Sequence, residues 1–337
     1  GSQRTHPGKM NPDIVAPAGP QDDTVAVIGF RRPKDATPIG CIVNFACHGT
    51  HMNGLLYSAD YPKWVVDTLQ GIFGPTFGVV YLNGACGDVT QVDNQSRRPI
   101  EFGLYWCQRT GRMIAGATLK ALYAMEYSGK ARVDVASRRL LLPIRTSPPE
   151  AVRAAREYLA SKKKGEAKKP PKDKQVFDDA LLKEEAGTKQ QHKPEPPDVE
   201  AIFAKGLLDV EAMRRTSPKL SREIQGIRIA DTFVWSAPGE LFQTYALKVR
   251  DESPFPHTIC AELANGYAGY ICTPEAFKGG GYEVRTARSS FLVEDAGERI
   301  ARAALALAKQ LHDDRTTEAA KSKKPRNKPG RARGPTA

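Results

Sequence analysis

Apolar residues along this chain recur at two spacings, one suited to strands and one to helices. Residues 24–30 and 39–46 are β-branched and apolar runs joined by the polar segment 31–38, which predicts a hairpin or two adjacent strands. Residues 61–73 carry Trp64, Val65, Leu69 and Ile72 at helical spacing, with Pro62 in the first turn. Residues 78–82 form another buried strand. Residues 101–125 predict a long amphipathic helix whose Leu104, Ile114, Leu119 and Leu122 suit packing on a sheet. Next come a strand over 131–144, helices over 148–160 and 199–215, and strands over 224–229 and 232–236 that meet at a tight Ala230-Asp231 turn. A helix over 239–250 is expected directly after Pro238-Gly239. A strand over 257–263, a Gly-rich loop over 265–282 and a last helix over 294–311 complete the pattern. Hairpins and crossovers both occur in this order. The expectation is an α/β (α+β) fold, with a mixed β-sheet core flanked by helices in a single large domain.

Two segments break the periodicity. Residues 161–197 are rich in Lys, Pro, Glu and Gln and hold few large apolar side chains, so they predict an exposed insertion, helical in part around 176–185. Residues 313–337 predict a disordered basic tail. The folded unit is then expected in two parts, 1–160 and 198–312, either side of the insertion. The formal charge of +12 changes meaning once these segments are separated. Residues 161–196 contribute ten basic and seven acidic side chains, and 313–337 contribute eight and three, so 8 of the 12 excess charges fall there. No basic-aromatic interleaving accompanies them, and specific nucleic-acid binding is not expected. Binding of an anionic surface through the tail is a weaker reading. No apolar run is long enough for a membrane-spanning helix. The opening Gly1-Ser2-Gln3 has the look of a cloning scar or trimmed end, which leaves a removed targeting segment open. Six cysteines without a CxxC pair, most of them in apolar runs, predict buried free thiols.

Candidate chemistry sits where strands end. His48 closes an apolar run and precedes Gly49-Thr50, with His51 three residues on; a strand end opening into small residues is where α/β proteins place ligands. By residue type alone, the commoner reading is that one or both histidines are satisfied polar residues at a strand end. Residues 84–90, Gly-Ala-Cys-Gly-Asp-Val-Thr, also follow a strand, and their glycines permit close backbone approach. This loop lacks the Gly-Lys-Ser/Thr of a phosphate loop and the serine of a nucleophile elbow, and Asp88 could simply cap a turn. Glu240 is expected in the first turn of a helix, where the dipole alone would favour a carboxylate. Tyr267, Tyr270 and Tyr282 lie among glycines in a loop suited to ligand contact or to any surface. No HExxH is present, so a metal would need ligands from separate loops.

Taken in order, Asn44-Phe45-Ala46-Cys47-His48-Gly49-Thr50, Ser58-Ala59-Asp60, Asn83-Gly84-Ala85-Cys86-Gly87-Asp88-Val89-Thr90, Pro238-Gly239-Glu240 and the segment 265–274 (Asn-Gly-Tyr-Ala-Gly-Tyr-Ile-Cys-Thr-Pro) resemble the neutral/alkaline, non-lysosomal ceramidases. The match looks closest to the shorter bacterial relatives, whose substrates are generally unassigned, and it covers residues 10–310 outside the insertion. The resemblance implies a Zn2+ site: His48 matches the second of the family's two zinc histidines, Glu240 its zinc glutamate and Tyr270 its zinc tyrosine. Tyr282 matches the tyrosine that helps hold the scissile carbonyl oxygen. Thr90 falls where the ceramidases place the serine of Gly-Asp-Val-Ser-Pro-Asn. The implied activity is zinc-dependent hydrolysis of an N-acyl amide, ceramide-like or other, by metal-activated water, with a small-molecule or lipid substrate and a secreted or periplasmic setting. Three departures accompany it. The family's first histidine lies in a His-Thr-His motif upstream of the Asn-Pro-Asp segment matched by Asn11-Pro12-Asp13, and His6 is too near Asn11 to replace it, so the chain looks like a fragment or an unusual homologue. Thr90 and Gln91 replace serine and proline. The family's C-terminal immunoglobulin-like domain has no counterpart. The alternative is a catalytically defective relative serving as a binding or structural module.

Overall fold

The structure, a computed structural model, describes residues 2–4, 7–52, 56–163 and 198–322. Strands β1 (Ala26–Arg31) and β2 (Pro38–Phe45) pair antiparallel, and β3 (Gly78–Asn83) joins β2 in parallel. Parallel neighbours need a crossover, supplied by α1 (Asp60–Phe73). Helix α2 (Leu104–Ala124) packs on α1. Cys41 and Val43 of β2, Tyr61, Val65 and Leu69 of α1, and Ile114 and Leu122 of α2 form one apolar core.

Two positions expected in that core lie outside it. Leu104 is 53% exposed and Ile72 50%. Gly111 of α2 lies against Tyr61 and Trp64 in the first turn of α1. Leu104 is two turns before Gly111, past that end, so correct helical spacing still leaves it uncovered.

The second sheet has the order β4-β5-β6-β8. Strands β4 (Val133–Pro143) and β5 (Lys219–Ile229) pair antiparallel along their whole length, β6 (Thr232–Ser236) follows β5 through the expected tight turn, and β8 (His257–Ala261) is parallel to β6. Between β4 and β5 come α3 (Pro149–Lys163) and α4 (Val199–Thr216), packed on each other. Helices α5 (Gln243–Glu252) and α7 (Ala296–Ser322) lie on the second sheet. Leu142, Ile224, Phe233, Trp235, Val249, Ile300 and Leu307 fill the core between them. The two sheets meet where Asn44 Nδ2 donates to both Leu82 O and Cys260 O, each at 2.9 Å. The architecture is therefore the expected one: a single domain of mixed sheets flanked by helices. All six cysteines are free and buried, and no described helix is long and apolar enough to cross a membrane.

Three expected boundaries change. The helix anticipated from residue 239 begins only at Gln243, because Glu240–Leu241 forms a short strand, β7, paired in parallel with β9 (Tyr270–Ile271). The Gly-rich stretch 265–282 accordingly holds β9 and the short helix α6 (Pro274–Gly279). The last helix runs on to Ser322 rather than stopping at 311; residues 313–322 contain neither Gly nor Pro, and their Ala, Glu and Lys favour helix. Residues 164–197, including the helix expected at 176–185, and residues 323–337 lie outside the described residues.

Candidate functional site

Four backbone N–H groups in succession explain why the chain turns as it does after β6. Glu240 N donates to Gly269 O at 3.0 Å, Leu241 N to Glu262 Oε2 at 3.0 Å, Phe242 N to Ile271 O at 3.1 Å and Gln243 N to Asp88 Oδ1 at 2.8 Å. The pairing with Tyr270–Ile271 holds Glu240–Leu241 extended, Phe242 is extended as well, and the helix begins only at Gln243. Glu240 is thus held on a strand, and the helix-dipole account of its carboxylate does not apply. Its register partner in β9 is Tyr270. Paired residues of neighbouring strands project from the same face, which brings the Tyr270 phenol to the Glu240 carboxylate as a hydrogen-bond donor. Tyr267 reaches the other oxygen, donating to Glu240 Oε1 at 3.0 Å.

His48 enters from the far side, on the loop after β2. Its Nε2 lies 3.3 Å from Glu240 Oε2, and its Nδ1 lies 2.9 Å from Val89 O. A carbonyl can only accept, so Nδ1 carries a proton and Nε2 is the nitrogen presented to Glu240. Val89 O also receives the His48 backbone N–H at 3.4 Å. The 84–90 loop therefore fixes both the backbone and the ring of His48. That loop in turn presses on β7: Gly87 N donates to Leu241 O at 2.9 Å, and a Cβ on Gly87 would meet Glu240 O at 2.4 Å. Only glycine permits this approach. A second glycine serves the other side. Gly269 has φ of +70°, and a Cβ there would lie 2.5 Å from Ser289 O.

Glu262, to which the sequence reading gave no role, locks these pieces. It is 6% exposed, and its Oε2 accepts from Cys86 N at 2.7 Å as well as from Leu241 N. Its Oε1 accepts from Cys86 Sγ at 3.1 Å. One carboxylate thereby joins the loop that steers His48 to the strand that carries Glu240. The sequence does hold a signal for it: a lone carboxylate ending the otherwise apolar run of β8.

The electrostatics follow from this packing. Burial lowers the His48 pKa, but the Glu240 hydrogen bond and the charges of Glu262 and Glu240 outweigh it and hold the imidazole above its usual value. Burial acts on Glu240 in the opposite sense, yet hydrogen bonds from His48, Tyr270 and Tyr267 leave it below the usual carboxylate range. Burial, then the charge of Glu240, pushes the Tyr270 phenol well up, so it is a neutral donor as it stands. Tyr282 packs edge-on against Tyr270, ring centroids 5.9 Å apart, and against Phe203 at 5.7 Å. Its hydroxyl is raised by burial and by Glu240 and Glu283.

His48, Glu240, Tyr270 and Tyr282 thus come together from four separate stretches of chain. Thr90 sits on the His48-steering loop, where its hydroxyl donates to Gln91 Oε1 at 3.1 Å and accepts from Val92 N at 3.4 Å, capping its own turn. His51 turns away. It is 1% exposed, its Nδ1 bonds to Glu101 O at 2.8 Å, and its ring meets Tyr61 edge-on. The reading of His51 as a satisfied polar residue holds for Nδ1 alone, since its buried Nε2 has no hydrogen-bond partner. Asp88 does cap, but at a distance, by accepting from the first turn of α5.

The donor set admits a zinc ion. In a tetrahedron with bonds of about 2.0–2.1 Å, two ligand atoms lie roughly 3.3 Å apart, and His48 Nε2 and Glu240 Oε2 have that separation. Nδ1 is anchored on a carbonyl, as metal-bound histidines usually are. Among the described residues, no group of three or more His, Cys, Asp or Glu could hold a metal; Tyr270, the third ligand that the ceramidase resemblance implies, is a tyrosine.

No family model matches this chain, and no curated protein matches it. Solved structures do match, among them two ceramidases. A ceramidase complexed with C2 is similar with a TM-score of 0.56 and 16% identity, over 90% of this chain and 50% of that one. Neutral ceramidase from Pseudomonas aeruginosa is similar with a TM-score of 0.50 and 16% identity, over 86% of this chain and 46% of that one. The chain spans about half the length of those proteins. At such identity the likeness is one of architecture: the fold of this chain is that of the neutral ceramidases.

Proposed function

We propose that the chain is a zinc-dependent hydrolase of N-acyl amides, with His48, Glu240 and Tyr270 as the metal ligands. The observation that carries this reading is the His48–Glu240 pair: two donors at the separation one metal demands, each oriented by a second group. The ceramidase fold supports a lipid amide as the substrate class. When bound, zinc supplies Lewis acidity and brings the pKa of water towards neutrality. The chain's own residues do the remainder. Val89 O fixes the His48 tautomer, Tyr267 holds the Glu240 carboxylate in place, and Tyr282, beside Tyr270, offers a neutral phenol to the amide carbonyl oxygen. A donor aimed at a developing oxyanion contributes about 3 kcal/mol. Thr90, already engaged in its own turn, borders the site rather than attacking.

Metal analysis tests this. The purified chain in zinc-supplemented buffer is expected to hold about one zinc, lost in His48→Ala and Glu240→Ala variants that still fold, with N-acyl amide hydrolysis lost alongside. A well-folded, metal-free wild type overturns the reading. One observation favours a second reading, that of a catalytically defective relative acting as a binding or structural module: only two of the candidate ligands come from His, Cys, Asp or Glu. That reading expects a folded chain without metal or turnover.

A further inference from the structure

The solvent side of α2 is unlike an ordinary solvated helix face. Tyr105, Met113 and Tyr123 are 67%, 59% and 70% exposed. The helix carries Arg109, Arg112 and Lys120 and not one Asp or Glu. A surface helix usually mixes charges of both signs there and leaves large apolar groups out. Tyr105, Gln108, Arg109, Arg112 and Met113, spaced three and four apart, line a shallow groove of about 380 Å³. Its cations are set on aromatic rings: Arg109 lies 5.2 Å from the centre of the Trp106 ring, Arg112 5.7 Å from that of Trp64, and Lys63 of α1 5.0 Å from the same Trp64. Lys63 also pairs with Asp67, the nearest acid on α1.

We infer that this stripe is a docking surface for an anionic lipid bilayer. Tyrosine and tryptophan place an apolar body and a polar end at the level of lipid headgroups. Methionine reaches the acyl boundary, as apolar side chains do in helices that lie in the membrane plane. Each cation near an anionic leaflet strengthens binding roughly fivefold. Charge disfavours a second copy of the chain as the occupant: a twofold interface sets the same patch against itself, and α2 carries no acid to answer Arg109 and Arg112. Gly103 N donates to His51 O at 2.7 Å, so the exposed first turn of α2 is tied to the loop that carries His48. The inference does not depend on the hydrolase reading, because the stripe needs no chemistry.

Vesicle pelleting tests it with the full chain. Wild type is expected to pellet with vesicles of equimolar phosphatidylcholine and phosphatidylglycerol and far less with phosphatidylcholine alone. Charge reversal in R109E/R112E should weaken partitioning by about tenfold or more. Y105S/M113S should abolish the part of the binding that survives high salt. All four positions lie on the solvent side, and circular dichroism checks that both variants fold. A wild type that stays in solution overturns the inference, as does R109E/R112E binding at wild-type strength. Binding that disappears only when residues 323–337 are removed assigns it to the tail and overturns it too. A dimer in sedimentation that Y105S/M113S dissolves would assign the stripe to a second copy.

Discussion

Glu262 shows how a residue can govern a site it does not line. Burial pushes its carboxyl up to about 7 from an ordinary 4.5. Between about pH 4.5 and about pH 7 the unfolded chain gives up a proton that the folded chain keeps. The folded state binds more protons in that window, so stability falls as pH rises through it and levels off above. Glu262→Gln removes the titration while leaving a carbonyl oxygen to accept from Cys86 N and Leu241 N. Relative to that variant, the wild type is expected to lose unfolding free energy between about pH 5 and about pH 7.5, as read by urea denaturation at each pH. Parallel pH profiles for the two proteins would refute the assignment. His48, Glu240 and Tyr270, which the structure brings together, were singled out because each sits in a short string of residues that resembles the ceramidases. Glu262 carried only the weak signal of a lone carboxylate at a strand end, because two of its partners are backbone amides, which leave no mark on the sequence.

At the scale of the element, the instructive case is the turn from β7 into α5. Pro238-Gly239-Glu240 reads locally as a helix start, but pairing with β9 holds Glu240 and Leu241 extended. Glu240 N donates to Gly269 O, Phe242 N to Ile271 O and Leu241 N to Glu262. Local propensity yields to long-range hydrogen bonds that no window of sequence contains. The same is true of the helix cap. The N-cap residue of α5 is Phe242, which has no side-chain acceptor, and Asp88 supplies one from the 84–90 loop. Its carboxylate also meets the positive end of the helix dipole. Asp88→Ala should therefore cost about 0.5–2 kcal/mol of stability, with Asp88→Asn recovering most of it. Chemical denaturation of the three proteins checks this. An alanine variant as stable as wild type would mean that the cap contributes nothing.

At the scale of the molecule, what could be read in advance was the alternation of strands and helices, which periodicity records. What could not be read was the meeting of the two sheets through Asn44 and Glu262, which places the strand-end loops around one point. The insertion raises a different question, and the structure at its two ends bears on it. Lys162, near the end of α3, pairs with Asp198 at 2.5 Å, and Tyr158 donates to the same carboxylate at 2.9 Å. Asp198 is the N-cap of α4 and accepts from Ala201 N at 3.0 Å. The chain thus leaves the domain and returns at neighbouring points, and α3 and α4 pack on each other. Closing a shorter loop is entropically easier, and each halving of length changes the cost by only about 0.6 kcal/mol. Replacing residues 164–197 by a short Gly-Ser linker is expected to leave unfolding free energy unchanged or slightly raised, by about 1 kcal/mol at most, with metal uptake as in the intact chain. A linker variant that unfolds, or that loses metal which the intact chain binds, would show that the insertion takes part in the fold or the site, and the two-part reading of the domain would have to be abandoned.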